Sequence, residues 1–199
     1  MVPANDAEKL ILDLVTPVTE IEAVALSVSL GRGLGQTVSS QLDFPHWDNS
    51  AMDGYAVLYD DVAQTPATLT VVDEIPTGQV PQRSIKPGEA ARIFTGGMLP
   101  TGADTIVIQE NTQREGDRVN VLAAPTAEAF VRKKASFYQA GAELLGAKAR
   151  IGAAEIAVLA AAQCVSVPVY RRPRVAILST GDELVDITQP LGPGQIVDS

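Results

Sequence analysis

Asp48, Ser50 and Asp53 fall close together in the run Asp48-Asn49-Ser50-Ala51-Met52-Asp53-Gly54-Tyr55-Ala56. Two carboxylates and a hydroxyl at that density suit the handling of an ion or a phosphate, because hard cations take oxygen ligands. Loops held by a rigid scaffold are where such groups concentrate. The same run also reads as a tight turn. Asx and Ser side chains satisfy backbone donors, and Asp53-Gly54 is a turn dipeptide because Gly accepts positive φ. The residues alone leave turn and site equally open.

A second cluster, Ser179-Thr180-Gly181-Asp182-Glu183-Leu184, follows the apolar run Arg174-Val175-Ala176-Ile177-Leu178. The apolar run reads as a strand buried on both faces, as in a parallel sheet. Ligands of open α/β sheets bind just outside the carboxyl ends of such strands. Hydroxyls, a glycine and two carboxylates there could hold a divalent cation through oxygen. The competing reading is a polar loop with capping residues; the strand context favours a site. A parallel sheet needs further strands, and the few residues after Glu183 include Pro190, Gly192, Pro193 and Gly194. The sequence reads as stopping inside that unit.

Other chemistries find little support. Cys164 is the single cysteine, so an internal disulfide and any CxxC pattern are excluded. It follows an Ala-rich segment and reads as a buried, inert thiol. His46 is the only histidine, which argues against zinc and against a Ser-His-Asp triad. Acidic residues outnumber basic ones 24 to 15, for a net charge of −9, which disfavours nucleic acid and anionic membranes. Arg132-Lys133-Lys134 and Arg171-Arg172 are too short to reverse this. The N-terminus, with Asp6 and Glu8, does not read as a signal peptide. The apolar run from Ile156 to Ala162 is too short to span a bilayer. A cytoplasmic, reducing setting fits these features.

The elements that must position these groups are partly legible. With 199 residues, 46% of them hydrophobic, the chain can bury a sizeable core in one or two domains. Asp6 is placed to cap a first helix running through Leu14, with Ala7, Leu10, Ile11, Leu14 and Val15 as a packing face, and Thr16-Pro17 stops it. Residues 21–30 alternate like a strand. Gly31, Gly33 and Gly35 lack the strand and helix of a dinucleotide loop and read as turn glycines. From Tyr55 to about Val121 short β runs alternate with Pro/Gly turns, which suggests a small barrel or sandwich. Residues 126–151 give a mixed signal. A helix is expected from about Ala153 to Gln163, and Val165, Val167 and Val169 alternate as a strand.

Three segments together resemble the MoeA-type molybdopterin molybdenumtransferases, to which the gephyrin E domain is related. They are the run 48–56; Arg92-Ile93-Phe94-Thr95-Gly96-Gly97-Met98-Leu99-Pro100 with Gly102-Ala103-Asp104 and Glu110; and Arg172 to Leu184 extended by Gly194-Gln195-Ile196 and Asp198-Ser199. The resemblance covers nearly the whole chain. It implies an α+β multi-domain fold. A discontinuous N-terminal α/β domain (1–47 plus 138–172) would carry an inserted β-rich, barrel-like domain (48–137). Residues 173–199 would be the truncated start of a doubly wound α/β domain, and a fourth, small β domain of the family is absent.

The resemblance further implies insertion of molybdate into adenylylated molybdopterin, with Mg2+ assisting and AMP released, in a homodimer. It admits as a partner an upstream protein of the molybdopterin adenylyltransferase type. By carry-over, Asp53 and Thr95 on the β-rich domain face Glu183 of the other subunit, and these three are the catalytic candidates. Ser50, Gly96, Ser179, Thr180 and Gly181 are the cofactor-binding candidates, and Asp182 and Glu183 the metal candidates. One departure stands out. Where the family carries Gly-Glu-Asp after the basic cluster, this chain has Ala135-Ser136-Phe137. Phe137 cannot bind a cation through oxygen or exchange protons. That change and the truncation keep a second reading open, a non-catalytic dimerisation or scaffolding module of the same family. A generic acidic β-rich binding protein is a third.

Overall fold

The computed structural model describes residues 2–198, so Ser199 of the third motif lies outside the described residues. The last residues of the first motif enter a strand of the largest sheet. Strands are numbered in chain order: β1 (Ile21–Ala25), β2 (Val38–Ser39), β3 (Asn49–Ser50), β4 (Gly54–Val57), β5 (Ala67–Ile75), β6 (Glu89–Ile93) and β7 (Thr105–Ile108). There follow β8 (Thr112–Glu115), β9 (Arg118–Val121), β10 (Val131–Arg132), β11 (Glu143–Leu145), β12 (Ser166–Tyr170), β13 (Leu184–Val185) and β14 (Ile196–Val197). The helices are α1 (Ala4–Leu14) and α2 (Ala153–Ala161).

Six strands form one sheet in the order β7-β4-β6-β5-β9-β8. All its pairings are antiparallel except β5 with β6. The sheet is open, with β7 and β8 at its edges; it is a curled half-barrel and not a closed one. Period-2 alternation sends successive side chains to opposite faces, and here both faces are covered. Tyr55 and Val57 pack with Leu69, Val107, Val119 and Val121. Ala56, between them, packs with Ile75, Ile93 and Ile106 on the other side. Each fully buried Val or Ile contributes about 1.5–3 kcal/mol. That is why this segment reads as a continuous apolar run.

A second body of structure joins segments from before and after that sheet. β1 pairs antiparallel with β12, from Ile21↔Tyr170 to Ala25↔Ser166, and β2 pairs with β11. Leu34, Ile151, Leu159, Val167 and Val169 form its core. Nearly buried Arg32 donates to the Glu22 carboxylate and to the Tyr170 carbonyl oxygen, which ties the chain to the β1–β12 ladder. The strand expected over 21–30 stops at Ala25, where a short 3-10 turn begins. The glycines that follow are turn and close-approach positions. Gly31 has φ +76°, and a Cβ on Gly35 would lie 2.7 Å from the Ile21 side chain.

Helix α2 falls where the periodicity places it. Glu155 accepts a hydrogen bond from the Gly152 N–H at its start, and Gln163, at φ 57°, lies just past its end. Helix α1 departs from expectation in two ways. Pro3, not Asp6, occupies the capping position, and no side chain caps the helix. Asp6 sits in the first turn instead, where its charge complements the helix dipole. The stripe expected to pack is bare: α1 has no buried residue, and Leu14 is 84% exposed. No described element covers it.

The third expectation to change is the strand over 174–178. These residues form no strand, and Ile177 is 87% exposed. A strand buried on both faces needs neighbouring strands and covering helices, and none lies against it among the described residues. Beyond it, only β13 and β14 pair, in parallel. Among the described residues no helix is long and apolar enough to cross a membrane.

Candidate functional site

The register of the central sheet brings Asp53 and Thr95 together. β4 pairs with β6 so that Gly54 lies opposite Ile93. Asp53, just before Gly54, and Thr95, just beyond Ile93, therefore leave the sheet side by side. Asp53 Oδ1 accepts hydrogen bonds from both the backbone N–H and the hydroxyl of Thr95, each at 2.7 Å. The Thr95 N–H bond, then the hydroxyl bond, then the charge of Arg92 hold the Asp53 carboxyl below its ordinary value. Asp53 is thus an anion fixed in direction.

Arg92 braces the same edge. It donates from Nη1 to the Gly54 carbonyl oxygen at 3.1 Å and from Nη2 to Gln109 Oε1 at 2.7 Å. Its guanidinium lies over the Phe94 ring at 4.8 Å and the Tyr55 ring at 5.2 Å. Gly54 permits the close approach of β4 to β7, for a Cβ there would meet the Val107 carbonyl oxygen at 2.0 Å. The turn that follows Thr95 needs Gly96, which has φ +82°.

The other residues of the first motif build the loop. Ser50 is fully buried; its hydroxyl donates to the Met52 carbonyl oxygen at 2.5 Å and accepts from the Met52 N–H at 3.3 Å. The Ser50 backbone also exchanges hydrogen bonds with Gly96 and Gly97. Ser50, expected to bind a cofactor, therefore spends its hydroxyl on the turn. Asp48 accepts from the Lys134 N–H at 2.7 Å and lies 3.7 Å from Lys133 Nζ. It moors the 133–134 loop. Ser50 and Asp48 shape the loop, as a turn requires, and Asp53 presents a carboxylate held by Thr95.

The second cluster is not joined to this pair. Ser179, Thr180, Gly181, Asp182 and Glu183 are all exposed. Among the described residues no hydrogen bond or ion pair links them to Asp53 or Thr95. Asp182 and Glu183 offer adjacent carboxylates, the donor type that magnesium takes. Among the described residues, however, no group of three or more His, Cys, Asp or Glu side chains is placed to hold a metal ion.

Phe137 is 65% exposed. Its N–H donates to the Phe44 carbonyl oxygen at 3.0 Å, and its ring lies 5.6 Å from that of Phe44. Phe44 stacks in turn on Tyr138 at 5.4 Å. This aromatic cluster escapes a motif-led reading. The only hint is the density of rings in Phe44-Pro45-His46-Trp47, immediately before the first motif.

A family model described as the MoeA N-terminal region (domain I and II) matches residues 2–162. The chain belongs to this family. Among the relatives of this MoeA-family chain, the molybdopterin molybdenumtransferase of Nostoc sp. is 55% identical and aligns with 100% of the chain and 47% of its own length. The Haemophilus influenzae protein of the same name is 32% identical, over 100% of this chain and 49% of its own. The crystal structure of a molybdopterin biosynthesis moeA protein from Pyrococcus horikoshii OT3 superposes with a TM-score of 0.86 at 31% identity, covering 100% of this chain and 54% of that one. This MoeA-family chain therefore spans about half the length of the curated relatives it matches. Its family places it in molybdenum cofactor biosynthesis.

Proposed function

We propose that this chain supplies part of a composite site that inserts molybdate into adenylylated molybdopterin, with release of AMP. The observation that carries the reading is the Asp53–Thr95 pair. It is an ionised carboxylate, aimed by two donors, at the rim of a rigid sheet. Molybdate, a dithiolene and a phosphoanhydride are all anionic, so a second anion among them must act through a cation or through water. Asp53 accordingly orients a water or a cation-bound water and does not attack the substrate. Thr95 keeps it in that orientation. Magnesium, when bound, would offset the phosphate charge, with Asp182 and Glu183 as the carboxylates that hold it.

The parts that would meet Asp53 come from elsewhere in the assembly. In a homodimer, Glu183 of one subunit would face Asp53 and Thr95 of the other, which fits the separation of the two clusters within one chain. Residues 1–47 with 138–172 are read as one domain and 48–137 as the inserted one. The Leu34–Ile151–Leu159 core, distinct from the two cores of the sheet, supports that division. A cytoplasmic location, and an adenylyltransferase-type protein that hands over the substrate, complete the proposal.

The test is molybdate-dependent AMP release from adenylylated molybdopterin, with magnesium, by the full-length protein and by its Asp53→Ala and Thr95→Val variants. Large losses of release without loss of folding support the reading, and wild-type rates in both variants end it. Exposed Phe137, where an acidic group belongs to the family pattern, favours a second reading: a non-catalytic module that dimerises or scaffolds. Partner binding without any molybdate-dependent release by the full-length protein is the outcome that selects it.

A further inference from the structure

Beside Asp53 and Thr95 lies a groove of about 210 Å3 lined by Phe44, His46, Trp47, Asn49, Arg132 and Phe137, with Gly96 where it meets the site. We propose that it is a stacking subsite for one planar nitrogen heterocycle that carries a phosphate. The proposal rests on the function argued above, because the substrate named there contains two such rings.

Four observations converge. The first is the wall. Phe137 and Trp47 are both exposed, and behind them Phe44 holds Phe137 at 5.6 Å and His46 at 5.8 Å. His46 in turn lies 5.7 Å from Trp47. Rings left open to water next to a built site offer faces on which a flat heterocycle can stack.

The second is charge. Arg132 is exposed and makes no ion pair among the described residues, although its neighbour Lys133 is paired with Glu128 and Asp48. In a chain of net charge −9, an unpaired guanidinium on an aromatic rim is suited to a phosphate, or to the ring face itself.

The third is an unspent acceptor. Asn49 stands opposite Arg132 across the β3–β10 ladder and is 8% exposed. Its Oδ1 has no hydrogen-bond partner. The other end of the amide is held only by a 3.3 Å bond from Nδ2 to the Trp47 carbonyl oxygen. A small rotation presents a carbonyl acceptor to a ring N–H in the groove. An acceptor left unpaired out of solvent carries a cost that such a donor removes.

The fourth is size. The volume lies below the roughly 300–1,000 Å3 that enclose a drug-sized ligand. The groove therefore takes one ring system and leaves the rest of the molecule to run out along Gly96 toward Thr95. Phe137 then has a positive role in this chain. What it loses as an oxygen ligand it supplies as a stacking face.

Two ring systems share this chemistry, a purine and a pterin, and the experiment separates them. AMP, neopterin phosphate and ribose 5-phosphate are titrated separately into the purified chain, with neither magnesium nor molybdate, by calorimetry and by emission of Trp47, the single tryptophan. The expected result is that AMP or neopterin phosphate binds and alters Trp47 emission, while ribose 5-phosphate does neither. Whichever of the two binds more tightly identifies the ring.

Phe137→Ala should weaken that binding about 5- to 150-fold, the size of one lost base–aromatic stack, and Phe137→Tyr should restore it. Phe137 is exposed, so neither change threatens the fold; Arg132→Ala should weaken the phosphate-bearing probe in the same assay. The proposal is overturned if neither ringed probe binds, if ribose 5-phosphate binds equally well, or if Phe137→Ala leaves affinity unchanged. Ring binding is read here without turnover. It can therefore fail while AMP release succeeds, or succeed while AMP release fails.

Discussion

Asp53 Oδ1 receives two hydrogen bonds from Thr95, one from the backbone N–H and one from the hydroxyl, both at 2.7 Å. One residue on the neighbouring strand thus sets both the direction and the charge of the carboxylate. Thr95→Val keeps the N–H and the shape but removes the hydroxyl. The Asp53 titration midpoint should then rise toward the ordinary 3.8 without reaching it, because the larger cause, the N–H bond, remains. Carbon-detected NMR titration of the Asp53 carboxyl reads this directly; an unchanged midpoint would deny the hydroxyl a role.

The same pair predicts a pH dependence with a definite sign. Asp53 has a folded-state pKa below its unfolded value, so its contribution to stability is complete above about pH 3.8. It is lost as the pH falls through the lower, folded value. Urea unfolding midpoints of wild type and Asp53→Asn should therefore converge below pH 3.8 and differ most at neutral pH. A gap that persists into strong acid would place the effect elsewhere.

Gly54→Ala tests the closeness of β4 and β7. The new Cβ would fall 2.0 Å from the Val107 carbonyl oxygen, which is backbone and cannot swing aside. We expect a loss of at least about 3 kcal/mol, the upper end of overpacking costs, measured by chemical denaturation. A variant within 1 kcal/mol of wild type, by the same scale, would mean that the two strands separate at little cost.

How far the sequence specified all this depends on the reach of the partner. β4 was legible because Tyr55-Ala56-Val57 lies between two covered faces, and its residues record that locally. The two-residue strands β3 and β10 were not, because neither has a pattern of its own and each is defined by the other. Between residues 126 and 151 the chain also takes positive φ at Glu128, Phe130, Ala135 and Lys148, none of them glycine. No turn signal announces those positions. The stripe on α1 and the run Arg174–Leu178 are apolar patterns with nothing packed on them here, and a pattern states a need for cover without supplying it. Ser50 shows a further limit: a hydroxyl type does not reveal that the Met52 backbone will use it.

Ile106 and Ile177 make that difference measurable. Ile106 is fully buried in the sheet core and Ile177 is exposed. Ile106→Ala should cost about 2–5 kcal/mol, while Ile177→Ser in this chain should change stability by less than about 0.5 kcal/mol. Paired thermal or urea melts decide the point, and a large effect at Ile177 would reveal packing over residues 174–178.

Cys164 should be slow to react. Burial pushes its thiol above the ordinary range, so little thiolate exists at neutral pH. Labelling by a thiol reagent should be much slower than for free cysteine and should reach that rate on unfolding in urea. Rapid labelling of the native chain would show that half-buried Cys164 is already open to the reagent.

The pairing of β1 with β12 also bears on the order in which this chain is made. Ile21 emerges from a ribosome early, yet its partner Tyr170 comes only after the whole six-stranded sheet has been synthesised. At roughly 5–20 residues per second, the first strand waits on the order of ten seconds for its mate. The sheet between them has all its strands in one uninterrupted stretch and can form meanwhile. When β12 arrives, the already folded middle acts as a clasp that holds it within reach of β1, and a strand made late completes one made early.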